Sequence, residues 1–399
     1  MIFMINTMLQ ALINVRFILR GKRSRGGVNG LYGVNIITSW GVRCGISDYS
    51  FFLLKELNKL PHEKIKLFIT SITQPHIKTP LSYFVLGLKS GKTCPVNHLQ
   101  FEYGLFDKRI DRFSLYYLNA LSFYMGLFLT CDYIIATIHE IAPISNGRFL
   151  RRNITLLTNR LIYETSKKIL VHTRSNRALL IERYRVNSSK ILIMPHGSYE
   201  HPIFLNKEAC KKTLNLVGKK IISIFGFISE HKGHDLVIKI LPFLSSEYHL
   251  LIAGSPRVQS DEAYYRLLKK MTYDLNVENR VHFIDYVAEQ DFPIVLNASD
   301  LAILPYRSVT QSGILHILMA YRLPTIASNL DAFEEINAQY HCLSLFANND
   351  PKDLYAKINA LSSLQVEVLS AGCLAFWNAT KWSVIAKKHL SIYETIQQA

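Results

Sequence analysis

The chain has 399 residues, 49% of them hydrophobic, with a formal net charge of +16 and a sequence pI near 9.5. That length and apolar content suit two folded domains with cores of their own, so that no disulfide or structural metal is required to hold them. The basic field favours polyanionic partners such as phosphorylated substrates, sugar nucleotides or anionic lipid, whereas no zinc-finger, RNA-recognition or aromatic-interleaved basic pattern points to nucleic acid.

Residues 1–32 form a basic N-terminal extension. Its first twenty, MIFMINTMLQALINVRFILR, are apolar but interrupted by Asn6, Gln10, Asn14, Arg16 and Arg20. The positive charge follows the apolar stretch, unlike a secretory signal, and no run approaches the ~20 apolar residues of a membrane span. With Lys22, Arg23 and Arg25 crowded behind it, the segment reads either as a helix on an anionic membrane surface, through residues 1–30, or as a disordered leader. The expectation is a cytoplasmic protein, peripheral at the membrane in the first case. The cysteines (Cys44, Cys94, Cys131, Cys210, Cys342 and Cys373) include no CxxC pair, which fits reduced thiols.

From residue 33 short β-branched runs alternate with helix-length amphipathic stretches. Strands are expected at 34–40, 64–70, 96–103, 132–140, 167–173 and 190–197, with helices such as Ser47–Leu60 and Arg174–Tyr184 between them. This is the rhythm of a parallel sheet with crossover helices. It pauses across the polar stretch Ser198–Gly218 and restarts, with strands at 219–226, 248–254, 280–286, 300–306 and 323–328. Helices fit at Asp235–Leu244, Asp261–Leu275 and Gly313–Tyr321, and a last amphipathic helix runs from Trp382 after a loop-like Asn378–Lys381. The domains expected are 33–198, completed by the helix at 382–399, and 199–381.

Ligands of open α/β sheets bind beyond the carboxyl ends of the strands, so the strand-to-helix turns carry the chemistry. Turn one, Trp40–Tyr49, offers Gly41, Gly45 and a helix N-terminus, though glycines there could simply make the turn. Turn two ends in His139-Glu140, a polar pair at a strand end or a rim histidine satisfied by its own domain. Turn three, Phe225–Gly233, sets Lys232 beside a glycine, where it meets a phosphate or merely solvent. Turn four, Pro305–Ile314, feeds a helix whose first amides, at Ser312, Gly313 and Ile314, suit a diphosphate; Arg307 adds charge there or faces solvent. No two aspartates are separated by one residue, so an Asp-x-Asp metal clamp is missing and no metal cofactor is expected.

In this order the turns resemble family 4 of the retaining GT-B glycosyltransferases, the group 1 glycosyl transferases, from about residue 33 to the end. The resemblance is carried by CGISDYSFFLLKEL, HLQFEYGLF, TIHEI, KILIMPHG, FGFISEHKGHDLVIKIL, LLIAGSP, SDLAILPYRSVTQSGILHILMAYRLPTIAS and AFEEI. It implies an α/β GT-B fold, two Rossmann-like doubly wound domains facing a central cleft. It further implies transfer of a hexosyl unit from a UDP- or GDP-sugar to an acceptor hydroxyl with retention and without metal, in polysaccharide or glycolipid synthesis. Gly45, Lys232, Val287, Ser312, Gly313, Ile314 and Glu335 are then the donor contacts. His139 and Lys232 are the catalytic residues, and Glu140 is an acceptor contact.

Two departures stand out. The family's pair of glutamates eight positions apart falls on Val309 and Ile317, and the arginine usual before the lysine is replaced around Phe227 and Ser229. The rival readings are a nucleotide-sugar epimerase or other GT-B enzyme, and a non-catalytic nucleotide-sugar or membrane-surface binding protein.

Overall fold

A computed structural model describes residues 32–398, apart from 43, 62–64, 74–78, 107–114, 142–148, 257 and 310. The basic extension and its membrane role lie outside the described residues, as do Arg43 and Thr310 of turns one and four. No single helix among the described residues is long and apolar enough to cross a membrane. The chain divides into two compact units, one running to Pro195 and resuming at Ser383, the other spanning His196–Trp382.

The first unit runs β1 (Tyr32–Thr38), α1 (Gly45–Leu57), β2 (Ile65–Ser71), α2 (Pro80–Thr93), β3 (Val96–Phe101), α3 (Leu115–Thr130), β4 (Tyr133–Ile138), α4 (Phe149–Thr165), β5 (Lys168–Val171), α5 (Arg174–Tyr184) and β6 (Ile191–Ile193). The second continues with α6 (Lys207–Thr213), β7 (Lys220–Phe225), α7 (His234–Ile240), β8 (Tyr248–Ala253), α8 (Asp261–Asp274), β9 (Val281–Ile284), α9 (Phe292–Ala298) and β10 (Leu301–Leu304). It closes with α10 (Gly313–Ala320), β11 (Thr325–Ser328), α11 (Asp331–Tyr340), β12 (Ser344–Phe346), α12 (Pro351–Ala360) and α13 (Ser363–Thr380). Helix α14 (Trp382–Gln398) returns the chain to the first unit.

Both sheets are parallel throughout, because each strand is followed by a crossover that returns the chain to the same end. The first has the order β2-β1-β3-β4-β5-β6, the second β12-β11-β10-β7-β8-β9. Each order reverses once, between β1 and β3 and between β7 and β10. In the second unit successive strand residues alternate between two apolar clusters. Phe225, Leu251, Ala302 and Leu304 face Leu318 of α10 and Phe333 of α11, while Ile224, Ile252 and Ile303 face Leu236 of α7 and Leu354 of α12. Each fully buried Ile or Leu contributes about 1.5–3 kcal/mol, so both sheet faces must be covered.

The first unit departs from that symmetry. Leu99, Phe101, Ala136, Ile138, Ile169 and Val171 point into one large apolar cluster. The opposite side of the same strands carries His98, Gln100 and Thr137, and α14 brings Tyr393 and His389 onto it: His98 Nδ1 lies 2.7 Å from the Tyr393 hydroxyl and its ring stacks on His389.

Two expectations need correcting, and one strand was not anticipated. Asn378–Lys381 is no loop: α13 continues to Thr380, whose hydroxyl donates back to the Phe376 carbonyl at 2.7 Å, and the exposed Asn378 only faces solvent. The polar pause after Ser198 contains α6, capped by Asn206 through the Ala209 amide. Strand β12 was too short to stand out.

Burial leaves several histidines neutral. His389 is driven down to about 4, chiefly by desolvation, and His234 to about 3 by burial and then by Lys232. Between those values and the ordinary value of 6.5 the unfolded chain binds protons that the folded chain refuses, so stability falls as pH drops through this window. Thermal unfolding at pH 7.5 and 5.5 should show a lower midpoint at pH 5.5, each of these histidines accounting for on the order of 1 kcal/mol. A His389→Phe variant should show a smaller pH effect than the wild type.

Candidate functional site

In the second unit, turns three and four leave β7 and β10, the two neighbouring strands at which the sheet order reverses. The crossovers after these strands run in opposite directions, which opens a crevice at their carboxyl ends. The turns approach closely because two positions lack a side chain. Gly233 has φ +69° and a Cβ there would lie 1.9 Å from the Pro305 carbonyl oxygen; at Gly226 it would lie 3.0 Å from Ile314.

Arg307 fastens the turns together. Its Nη2 donates to both carboxylate oxygens of Asp235, at 2.9 and 2.8 Å, and its Nη1 to the Glu230 carbonyl, while its main-chain N–H donates to the His231 carbonyl at 2.8 Å. Asp235 also accepts from the Tyr264 hydroxyl at 2.6 Å and from Lys239 at 2.9 Å. Burial pushes this carboxyl up, but the hydrogen bonds from Tyr264, Lys239 and Arg307 outweigh it and hold the group below its ordinary value. Arg307 therefore does not face solvent freely; it is a structural clamp.

Lys232 closes the 3-10 turn Glu230–Lys232 and is half-buried. Among the described residues no carboxylate lies within ion-pair distance of its ammonium, which sits 3.6 Å from the centroid of the Tyr306 ring. Ser312 caps α10 by accepting the Leu315 amide at 3.2 Å, and among the described residues the preceding amides of the first turn have no acceptor. The His196 ring stands beside Gly313, 3.8 Å from where a Cβ would be. A cation, a helix N-terminus and small residues thus converge in a setting suited to an anion with several oxygens.

In the first unit turns one and two leave β1 and β4. Helix α1 starts at Gly45 with Cys44 as cap, its sulfur 3.4 Å from the Ser47 amide, and a Cβ at Gly45 would meet nothing within 4 Å. His139 is buried, and both its ring nitrogens are engaged. Nε2 lies 2.9 Å from Gln100 Oε1, Nδ1 lies 3.3 Å from His172 Nε2, and Tyr49 presents its edge. His172 Nδ1 donates to the Met194 carbonyl, which can only accept. With both rings neutral and Gln100 placed so, the two facing nitrogens would lack a proton. Turning the Gln100 amide restores a continuous chain: Gln100 then donates to His139, His139 to His172 and His172 to Met194.

The fold thus gathers Lys232, Ser312, Gly313 and Ile314 in the second unit. Val287 lies in the apolar cluster against which Ile314 packs, and Glu335 is half-buried on α11, the helix whose Phe333 backs Tyr306. Gly45, His139 and the exposed Glu140 belong to the first unit. Val309 and Ile317 pack against the apolar cluster of the second unit. Sequence reasoning missed Tyr306 and Asp235, although the first adjoins Arg307 and the second follows Lys232 by one helical turn.

Residues 206–370 match the family model described as glycosyl transferases group 1. Mannosylfructose-phosphate synthase of Agrobacterium fabrum is 26% identical over 156 residues, 37% of this chain and 34% of that protein. Sucrose-phosphate synthase from Thermosynechococcus elongatus is similar in structure with a TM-score of 0.70 at 16% identity, covering 92% of this chain and 99% of that one. Anabaena HepE, solved in complex with UDP and glucose, gives a TM-score of 0.70 at 13% identity over 92% and 100% of the two chains. The aligned stretches span between 34% and 55% of the curated relatives' own lengths. The chain has a GT-B fold of two Rossmann-like domains, and the match to group 1 glycosyl transferases falls within the second.

Replacing Arg307 by Gln should cost about 2–3 kcal/mol in urea unfolding at pH 7.5, the usual worth of hydrogen bonds to a charged group. Because the Asp235 carboxyl is held below its ordinary value, the difference from wild type should be full above about pH 4 and shrink as pH falls and Asp235 protonates.

Proposed function

We propose that the protein is a retaining hexosyltransferase that takes a sugar from a UDP- or GDP-sugar and passes it to an acceptor hydroxyl. The observation that carries this reading is the ammonium of Lys232, paired with no carboxylate among the described residues, beside the capped N-terminus of α10 at the switch point of the second sheet. The group 1 match over the same residues and the UDP and glucose held by the similar HepE structure support it.

In this mechanism the bond between the anomeric carbon and the diphosphate oxygen breaks, and both its electrons leave with the nucleoside diphosphate. Lys232 and the amides of Ser312, Gly313 and Ile314 stabilise that growing charge, the task a divalent ion performs elsewhere, so no metal is required. The acceptor oxygen bonds the anomeric carbon on the face the diphosphate vacates, which preserves configuration, and its proton passes to an oxygen of the departing diphosphate. Val287 flanks the base. Glu335 is the carboxylate we assign to the ribose, since Val309 and Ile317 cannot hydrogen-bond it. In the N-terminal domain Gly45 leaves room for the donor, and Glu140 meets the acceptor. His139, with both nitrogens engaged, serves as a fixed wall against the sugar and not as an acid or base. The basic charge suits a lipid-linked or polysaccharide acceptor handled in the cytoplasm.

Thermal shift against a panel of UDP- and GDP-sugars should raise the midpoint for one donor, since a ligand of the native state stabilises it. With that donor, Lys232→Ala should lower kcat by roughly 10²–10³, the usual cost of losing one oxyanion donor. Turnover unchanged in a folded Lys232→Ala protein would refute the assignment.

A further inference from the structure

Lysines near an anion site are commonly held by a carboxylate, which an incoming anion must first displace. Lys232 is held differently. Its ammonium rests on the face of Tyr306, 3.6 Å from the ring centroid, and Tyr306 is buried. An aromatic face attracts a cation by its quadrupole but has no net charge, so it fixes the ammonium without neutralising it. The acidic residue in the first turn of the helix that follows, Asp235, is already claimed by Arg307, Lys239 and Tyr264. Two consecutive residues therefore sort the charges of this corner: Arg307 takes the carboxylate and Tyr306 takes the ammonium.

The other end of Tyr306 reaches the second half of the site. Its hydroxyl lies 3.4 Å from the Oγ of Ser312, the residue that caps α10 through the Leu315 amide. Phe333 of α11 lies tilted against the ring at 5.7 Å between centroids and fixes its plane. One rigid side chain thus spans from the lysine cation to the helix N-terminus.

We propose that Tyr306 is a positioning residue for the donor diphosphate. It holds the Lys232 charge available and sets its distance from the α10 amides, so that both meet the same phosphates. This rests on the reading of Lys232 and Ser312–Ile314 as the diphosphate site.

The test measures UDP and GDP binding to the full chain by calorimetry. Tyr306→Phe should keep affinity within about threefold, because the ring face survives. A shape-preserving series, in which phenylalanine carrying one, two or three ring fluorines is incorporated at position 306, weakens the face stepwise. Affinity should fall with each fluorine, reaching roughly tenfold overall, and the series should be flat in a Lys232→Ala background. A flat series in the wild-type background, with the nucleotide still bound and affinity still lost in Lys232→Ala, would overturn the role of Tyr306 alone. If neither nucleotide binds the wild type, or Lys232→Ala binds as well as it, the diphosphate reading itself falls.

Discussion

A parallel sheet gathers the carboxyl ends of all its strands on one edge, and a single reversal of strand order separates two neighbouring crossovers. That constraint governs this molecule twice. In the second domain the reversal lies between β7 and β10, and every residue of the proposed diphosphate site stands on the turns that leave those two strands or is backed by α11. Apolar alternation builds the sheet; the crevice follows from topology, before any charged residue is considered.

What chemistry then requires is a charge that remains available. An ammonium paired to a carboxylate is stable and inert toward a new anion, whereas one left in the open is dispersed by solvent and by its own mobile stem. The arrangement around Lys232 avoids both. The clamp of Arg307 on Asp235 holds the two turns in register and removes the competing acid, and the aromatic face restrains the ammonium. In the first domain polar groups serve a different end. Gln100 and the histidines on the face under α14 satisfy one another, at the cost of acid tolerance, and leave His139 immobile.

Much of this was readable from the amino-acid order. Runs such as KIISIF and YHLLIA are apolar and short, which parallel strands buried on both faces demand, and the lysine beside a glycine in turn three and the small residues of turn four marked the loops that carry the site. The three-residue SLF of β12 carries too little pattern to register, and KEACKKT of α6 is too polar to suggest a packed helix. Asn378 and Thr380 imitate a loop because one faces water and the other hides its hydroxyl on the preceding turn. The site divides in the same way. Lys232 and the Ser312–Ile314 amides follow from motif position. Tyr306 escaped because an aromatic beside a proline reads as core, and its service to a lysine 74 positions away exists only after folding.

The hydrogen bond between His98 and Tyr393 joins residues 295 apart in sequence, with the whole second domain between them. During synthesis the first domain therefore emerges early yet waits for α14, its histidine-lined face uncovered until translation has passed position 393. The second domain has its last strand at Phe346 and its last helix at Thr380, before α14 is made. The first domain is begun before the second and completed after it, and a ribosome stalled between the two would leave its damage in the first.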